Sequence, residues 1–304
     1  MTFELTILGS SSATPAFQRN PAAQVLNIHE KLFLIDCGEA TQIQLSRYKI
    51  KSQKINHIFI SHLHGDHYLG LMGLLSSFHL NGREATLHIY CFEELKEILD
   101  LQFKVSNTKL SFTVEYHFMD LTDRKIIFED KEILVESIRL NHRVPCVGFL
   151  FKEKPRPRNV IREKISQYNI PYEVLPDIKS GKDFTDGDGN LIKNSELTIA
   201  AGPPGSFAYC SDTLYDESIL SSISGIDLLY HEATFLDDMK KRAAETFHST
   251  SVEAAQIASK AGVNKLIIGH FSARYKDLQP LLDEARSIFP NTFLAVEGEK
   301  FQVR

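Results

Sequence analysis

"INHIFISHLHGDHYLG", residues 55–70, runs from an apolar, strand-like segment straight into three histidines and an aspartate. The apolar run predicts a buried strand, and the polar cluster therefore sits where that strand ends. Histidine accounts for 12 of the 304 residues, so His62, His64, Asp66 and His67 within six positions are far denser than composition provides. Imidazole offers neutral nitrogen at about 2.0–2.1 Å from zinc, and carboxylate oxygen is able to bridge two ions. The stretch reads as a metal site at a strand end.

Working outward, further polar residues close other apolar runs: His142 after "ESIRL", Asp212 after "FAYCS" and His270 after "NKLIIG". Strand ends deliver side chains from distant segments to one rim of a sheet. Five histidines and two aspartates are enough ligands for two ions. The first third of the chain alternates strands ("FELTILG", "AAQVLNI", "KLFLIDCG", "INHIFISH") with helices ("EATQIQLSRYKI", "DHYLGLMGLLSSF", the latter opening on Asp66). A β-rich stretch follows through "VPCVGFLFKE". After residue 205 the strand–helix alternation resumes with "FAYCSDT", "ESILSSI", "IDLLYHEA", "TSVEAAQIASKAG", "NKLIIGHFS", "LQPLLDEARSIF" and "TFLAVEGEKFQV". Two β-rich halves with helices predict an α/β (α+β) protein, a four-layer sandwich of two mixed sheets covered by helices.

Between these halves, residues 152–205 gather Pro, Gly and charge while apolar periodicity fades, which predicts an inserted, flexible arm within one domain spanning 1–304. The arm opens on "KEKPRPRNVIREK", 152–164, with Lys152, Lys154, Arg156, Arg158, Arg162 and Lys164 against Glu153 and Glu163. A basic patch on a chain of formal net charge −5 attracts a polyanion locally, whereas the overall charge argues against a generic nucleic-acid binder. "DGDGN" at 186–190 lacks the Gly and Glu positions of a calcium loop and reads as a turn.

No apolar run reaches the ~18–20 residues of a membrane span, and "MTFELTILGS" lacks a basic, then apolar, secretory start. The four cysteines (Cys37, Cys91, Cys146, Cys210) are scattered through apolar runs and read as small buried hydrophobes. Cytoplasmic location is the expectation.

"HLHGDH" resembles the HxHxDH signature of the metallo-β-lactamase superfamily, whose αββα sandwich carries a dinuclear metal site. More narrowly, "NH" (141–142), "SDT" (211–213), "YHEATF" (230–235), "FHST" (247–250) and "GHFSARY" (269–275) resemble the ribonuclease Z family, endonucleases that trim tRNA 3′ ends. The resemblance implies one zinc on His62, His64 and His142, a second on Asp66, His67 and His270, and Asp212 bridging them, with Mn²⁺ as an alternative metal. It implies that Asp66 orients and deprotonates the attacking water. His248, polarised by Glu232, would donate the proton to the leaving oxygen. It further implies precursor tRNA as substrate, an arm that grips it through Lys154, Arg156 and Arg158, end-reading by Arg19, Asn20 and Arg274, and a homodimer. In relatives the loop matching "TPAFQRN" (14–20) carries a lysine where Phe17 stands here; Phe17 either packs beneath the loop or offers a ring face to a base. The arm departs from relatives too, with Tyr172-Glu173 in place of a Gly-Pro stretch. His29, His57, His79, His88 and His117 match nothing and read as structural or surface histidines, and His231 has no assigned role. Two rival classes remain: a hydrolase of small phosphodiesters or esters sharing the metal site, and a non-catalytic zinc or RNA-binding module.

Overall fold

The computed structural model describes residues 2–304. In chain order, strands β1 (Phe3–Gly9), β2 (Ala23–Ile28), β3 (Lys31–Ile35), β4 (Ile55–Phe59), β5 (Leu87–Cys91) and β6 (Val114–Phe118) lead the fold. Next come β7 (Ile126–Glu129), β8 (Ile133–Arg139) and β9 (Val147–Glu153), then the two-residue strands β10 (Asn159–Val160), β11 (Phe184–Thr185), β12 (Leu191–Ile192) and β13 (Thr198–Ile199). The last group is β14 (Ser206–Cys210), β15 (Leu228–Glu232), β16 (Lys265–Gly269), β17 (Thr292–Leu294) and β18 (Lys300–Gln302). One seven-stranded sheet has the order β18-β1-β2-β3-β4-β5-β6, and a second the order β17-β16-β15-β14-β9-β8-β7. The first is mixed: β1, β2 and β3 pair antiparallel, whereas β3 to β6 pair parallel.

Helices α1 (Thr41–Arg47), α2 (Gly65–Tyr68), α3 (Leu71–Leu80) and α4 (Glu94–Val105) belong to the first half. One face of the first sheet, including Leu8, Val25, Leu34, Ile58 and Ile89, packs against Leu71, Leu74, Leu75 and Phe78 of α3 and Leu95 and Leu99 of α4. The opposite face meets the second sheet through rings. Phe59 lies 5.3 Å from Phe149 and Phe33 5.7 Å from Phe151, while Phe149 stacks on Tyr209 and Tyr209 on Tyr230. The C-terminal end of β4 is apolar on both faces for this reason: Ile58 faces helices and Phe59 faces the partner sheet. The layers are therefore helix, sheet, sheet, helix, as the sequence predicts.

A first compact unit comprises the chain up to Phe128, Val135–Phe151 and Gly205–Arg304. A second comprises Glu129–Leu134 and Lys152–Pro204 and holds the short helices α5 (Arg162–Gln167), α6 (Leu175–Lys179) and α7 (Asn194–Leu197). Its buried centre is Ile170, Ile178, Ile192 and Leu197, with Val160, Ile165, Tyr168 and Phe184 packed around it. The charged, periodicity-poor stretch thus carries a small core of its own. "DGDGN" is a turn closed on Asp186, whose Oδ1 accepts from the backbone N–H of Asp188 and Asn190.

The back half adds α8 (Lys240–Thr246), α9 (Ser251–Ala261) and α10 (Gln279–Ile288). Three sequence-predicted elements differ. "DHYLGLMGLLSSF" is two helices, because at Gly70 the chain touches the turn after β3: Gly70 N–H donates to Cys37 O, and a Cβ on Gly70 would lie 2.0 Å from Gly38 O. "TFLAVEGEKFQV" is likewise two strands, β17 and β18, in different sheets. "ESILSSI" is a short 3₁₀ turn over Glu217–Ser221.

Candidate metal centre

The rim where β4, β14, β15 and β16 end collects the predicted site. His62, His64, Asp66 and His67 follow β4, His142 follows β8, Asp212 follows β14, Glu232 ends β15 and His270 follows β16. His62, His67, Asp212, Glu232 and His270 are buried, with Glu232 at 0% exposure.

Two groups of donor atoms converge. In the first, His64 Nδ1 lies 3.1 Å from His62 Nε2 and 3.2 Å from His142 Nε2. In the second, His270 Nε2 lies 3.3 Å from both His67 Nε2 and Asp66 Oδ2, and His67 Nε2 is 3.5 Å from Asp66 Oδ2. Asp212 stands between them. Its Oδ2 is 3.6 Å from His62 Nε2 and 3.9 Å from His142 Nε2, while its Oδ1 is 3.3 Å from His270 Nε2 and 3.5 Å from His67 Nε2. Four donors at about 2.0–2.1 Å around a tetrahedral cation lie about 3.3–3.4 Å from one another, so these separations suit donors that share a cation.

Proton placement supports the same reading. His67 Nδ1 donates to Asp36 Oδ2 (2.7 Å) and His142 Nδ1 to the Phe247 carbonyl (2.8 Å). Ser61 Oγ gives its proton to Asp36 and so accepts from His62 Nδ1 (3.1 Å). Thr234 Oγ1 gives its proton to Glu232 and accepts from His270 Nδ1 (3.0 Å). In its neutral form each of these imidazoles therefore turns a bare Nε2 lone pair inward, the orientation metal-bound histidine takes from its outer partners. Lone pairs facing one another in a buried space repel unless a cation lies between them. Asp212 Oδ1 is buried with no hydrogen-bond donor, an orphan acceptor that a cation satisfies. Burial works against charge on His67, yet Asp66, Asp212 and Asp36 outweigh it and hold its pKa well above the ordinary value. The site demands positive charge.

Beside these groups, His248 Nδ1 lies 2.9 Å from Glu232 Oε1. Glu232 is held by donors on both oxygens: Ser249 N–H and Thr213 N–H to Oε1, Thr234 N–H and Oγ1–H to Oε2. Burial opposes the His248 imidazolium, but the Glu232 and Asp212 carboxylates hold its pKa up to about 9. The "FHST" segment thus divides its labour. His248 faces the site, Ser249 fixes Glu232, and Thr250 caps α9 in a reciprocal pair with Glu253, worth about 1 kcal/mol.

The other predicted residues are more dispersed. Arg19 donates to Tyr275 O (2.6 Å), and its guanidinium lies 5.5 Å over the Phe17 ring. Phe17 is 51% exposed and does not pack beneath its loop. Asn20 is committed to Glu297 through its side-chain amide (2.8 Å). Arg274 is exposed and stacks over Phe235, 4.9 Å from the ring centroid. In the second unit, Lys154 pairs with Glu129 (2.6 Å) and Arg158 Nε donates to Thr198 Oγ1 (2.6 Å), while Arg156 is half-buried.

Sequence reasoning missed Asp36. This buried carboxylate accepts from Ser61 N–H, Ser61 Oγ–H, Tyr209 O–H and His67 Nδ1–H. Its only trace in sequence is an acid closing the apolar run "KLFLID". Arg143 was missed as well: its Nε approaches His64 Nε2 at 3.4 Å. With Arg139 and Asn141 it lines a cavity of about 520 Å³ beside His142.

Comparison with known proteins bears on this geometry. The family pattern of the Anti-Pycsar protein Apyc1 matches residues 3–156. Ribonuclease Z of Bacteroides fragilis is 48% identical over 296 residues, covering 97% of each chain. Ribonuclease Z of Porphyromonas gingivalis is 46% identical over 295 residues, again 97% of each. The chain belongs to the ribonuclease Z family. Over its first half it also belongs to the Apyc1 family, a match that takes in His62 to His142 and stops short of Asp212, Glu232, His248 and His270. The crystal structure of human tRNase Z, short form, superposes with a TM-score of 0.72 at 25% identity, covering 99% of both chains. The metallo-β-lactamase-fold protein YhfI of Bacillus subtilis superposes with a TM-score of 0.70 at 19% identity and shares the fold.

Proposed function

We infer that this chain is a metal-dependent endoribonuclease that removes the 3′ trailer of precursor tRNA, leaving a 3′-hydroxyl on the tRNA and a 5′-phosphate on the trailer. The observation that carries the reading is the Glu232–His248 pair beside two donor groups that share the Asp212 carboxylate. His62, His64 and His142 would hold one zinc, Asp66, His67 and His270 the other, with Asp212 between; manganese suits the same donors. Bound there, the two cations would supply a water of lowered pKa and neutralise charge developing on the phosphoryl oxygens.

The chain's own residues do the rest. Asp66, fixed by the Ala13 N–H at 2.8 Å, orients the attacking water and accepts its proton. The nucleotide 3′ oxygen departs opposite the attack. His248 protonates it from the nitrogen remote from Glu232, and the buried carboxylate steadies the imidazolium until the proton leaves. Arg139 and Arg143, which line the cavity beside His142, would meet phosphates next to the cleaved one. Lys154, Arg156 and Arg158 on the second unit, with Arg19, Asn20 and Arg274 near the N-terminal loop, serve substrate binding, and Asn20 does so by shaping the loop through Glu297. A cytoplasmic homodimer fits the family. None of the described helices is long and apolar enough to cross a membrane.

The test sets precursor tRNA against bis(p-nitrophenyl) phosphate. Metal-loaded protein should cut the tRNA at one position with a far higher kcat/KM than it shows on the small diester, and chelation should abolish both. Turnover of the small diester with intact precursor would favour the small-phosphodiester hydrolase instead.

A further inference from the structure

A second set of converging donors lies on the first sheet, away from the rim that holds the metal centre. His88 sits opposite Glu115 in the β5–β6 register, and His117 follows two residues along β6, so all three side chains share one face. His88 Nδ1 lies 3.1 Å from His117 Nε2 and 3.2 Å from Glu115 Oε2. These separations match those between His62, His64 and His142, and the tetrahedral-edge distance of about 3.3 Å.

The rings are held in place. His88 stacks on His57 with centroids 4.9 Å apart and planes 12° from parallel, and His117 stacks on Tyr90 at 4.5 Å and 13°. Tyr90 stacks in turn on the buried Phe59 at 4.2 Å. Donors fixed by packing lose little freedom on binding. A single proton on His88 Nδ1 faces two acceptors and serves one of them; a cation serves all three donors at once. Glu115 is 54% and His88 28% exposed, which leaves an entry path and room for water to complete the coordination.

We propose that His88, Glu115 and His117 form a peripheral binding site for a divalent transition-metal ion, separate from the catalytic centre. Two imidazoles and one carboxylate select zinc, nickel, cobalt or copper over magnesium and calcium, which prefer all-oxygen shells.

The test is a zinc titration, followed by calorimetry, of protein whose catalytic centre is already loaded. Wild type takes up one further equivalent, and zinc raises its melting temperature. His88→Gln and His117→Gln each lose that equivalent and that thermal shift, while metal content of the loaded protein and cleavage of precursor tRNA remain at wild-type levels. Because the shift is read within each variant, a variant of lower intrinsic stability still reports on binding. Absence of a further equivalent in wild type, or its persistence in both variants, overturns the proposal.

Discussion

Replacing Asp36 by Asn keeps shape and changes proton logic. Asp36 Oδ1 accepts from Ser61 N–H at 2.7 Å, and Oδ2 accepts three protons, from Ser61 Oγ, Tyr209 O–H and His67 Nδ1. With its carbonyl kept on Ser61 N–H, the asparagine presents an NH₂ to those three donors. The two hydroxyls rotate and become acceptors. His67 has no rotation available; it must move its proton to Nε2, the atom 3.3 Å from His270 Nε2 that should be a bare ligand. Losing such an outer partner typically weakens metal binding ~10–100-fold, or about 1.4–2.7 kcal/mol. Each buried donor or acceptor left unmatched costs a further ~1–3 kcal/mol of fold stability, so melting should fall by several degrees. The assay is zinc per chain by elemental analysis after dialysis against graded chelator. Asp36→Asn should release one equivalent at chelator levels where wild type keeps two, while the equivalent on His62, His64 and His142 stays. A chelator profile identical to wild type would refute the argument that Asp36 sets the His67 tautomer.

Asp212→Ala removes the carboxylate between the two donor groups, so elemental analysis should show at least one metal equivalent lost, and nearly all turnover with it. His248→Ala should keep both metals and the substrate KM while kcat drops ~10²–10⁴-fold; a fall in metal content would make His248 a ligand. Replacing residues 155–203 with a short Gly/Ser linker removes the small core of Ile170, Ile178, Ile192 and Leu197 as one piece. KM for precursor tRNA should rise steeply and the salt dependence of binding flatten, while a small phosphodiester is still hydrolysed. Phe17→Lys exchanges a ring beneath Arg19 for a second cation, and cleavage of matched precursors should show sharper rejection of CCA-bearing ends and a steeper salt dependence.

The metal site was legible because it is written in strand ends. His62 to His67, His142, Asp212 and His270 each close an apolar run, and the end of β4 in the first sheet and the ends of β8, β14 and β16 in the second bring them to a common rim. Features that depend on contacts between distant segments were not legible. Asp36 gains meaning only from Ser61, His67 and Tyr209, two of them on other strands or their ends. The break between α2 and α3 comes from Gly38 pressing on Gly70, which helical periodicity does not record. The charges of the 152–205 stretch were plain, but its core draws single aliphatics from scattered short elements, and Lys154 and Arg158 bond to Glu129 and Thr198. His88 and His117 read as ordinary histidines because their pairing depends on the β5–β6 register.

The most direct measurement is an end-group map of a precursor tRNA incubated with the metal-loaded protein. The account predicts one cut at the base of the trailer, a 3′-hydroxyl on the tRNA, a 5′-phosphate on the trailer, and no cut after chelation. A 2′,3′-cyclic phosphate or 3′-phosphate on the tRNA, or cleavage that survives complete metal removal, would contradict it.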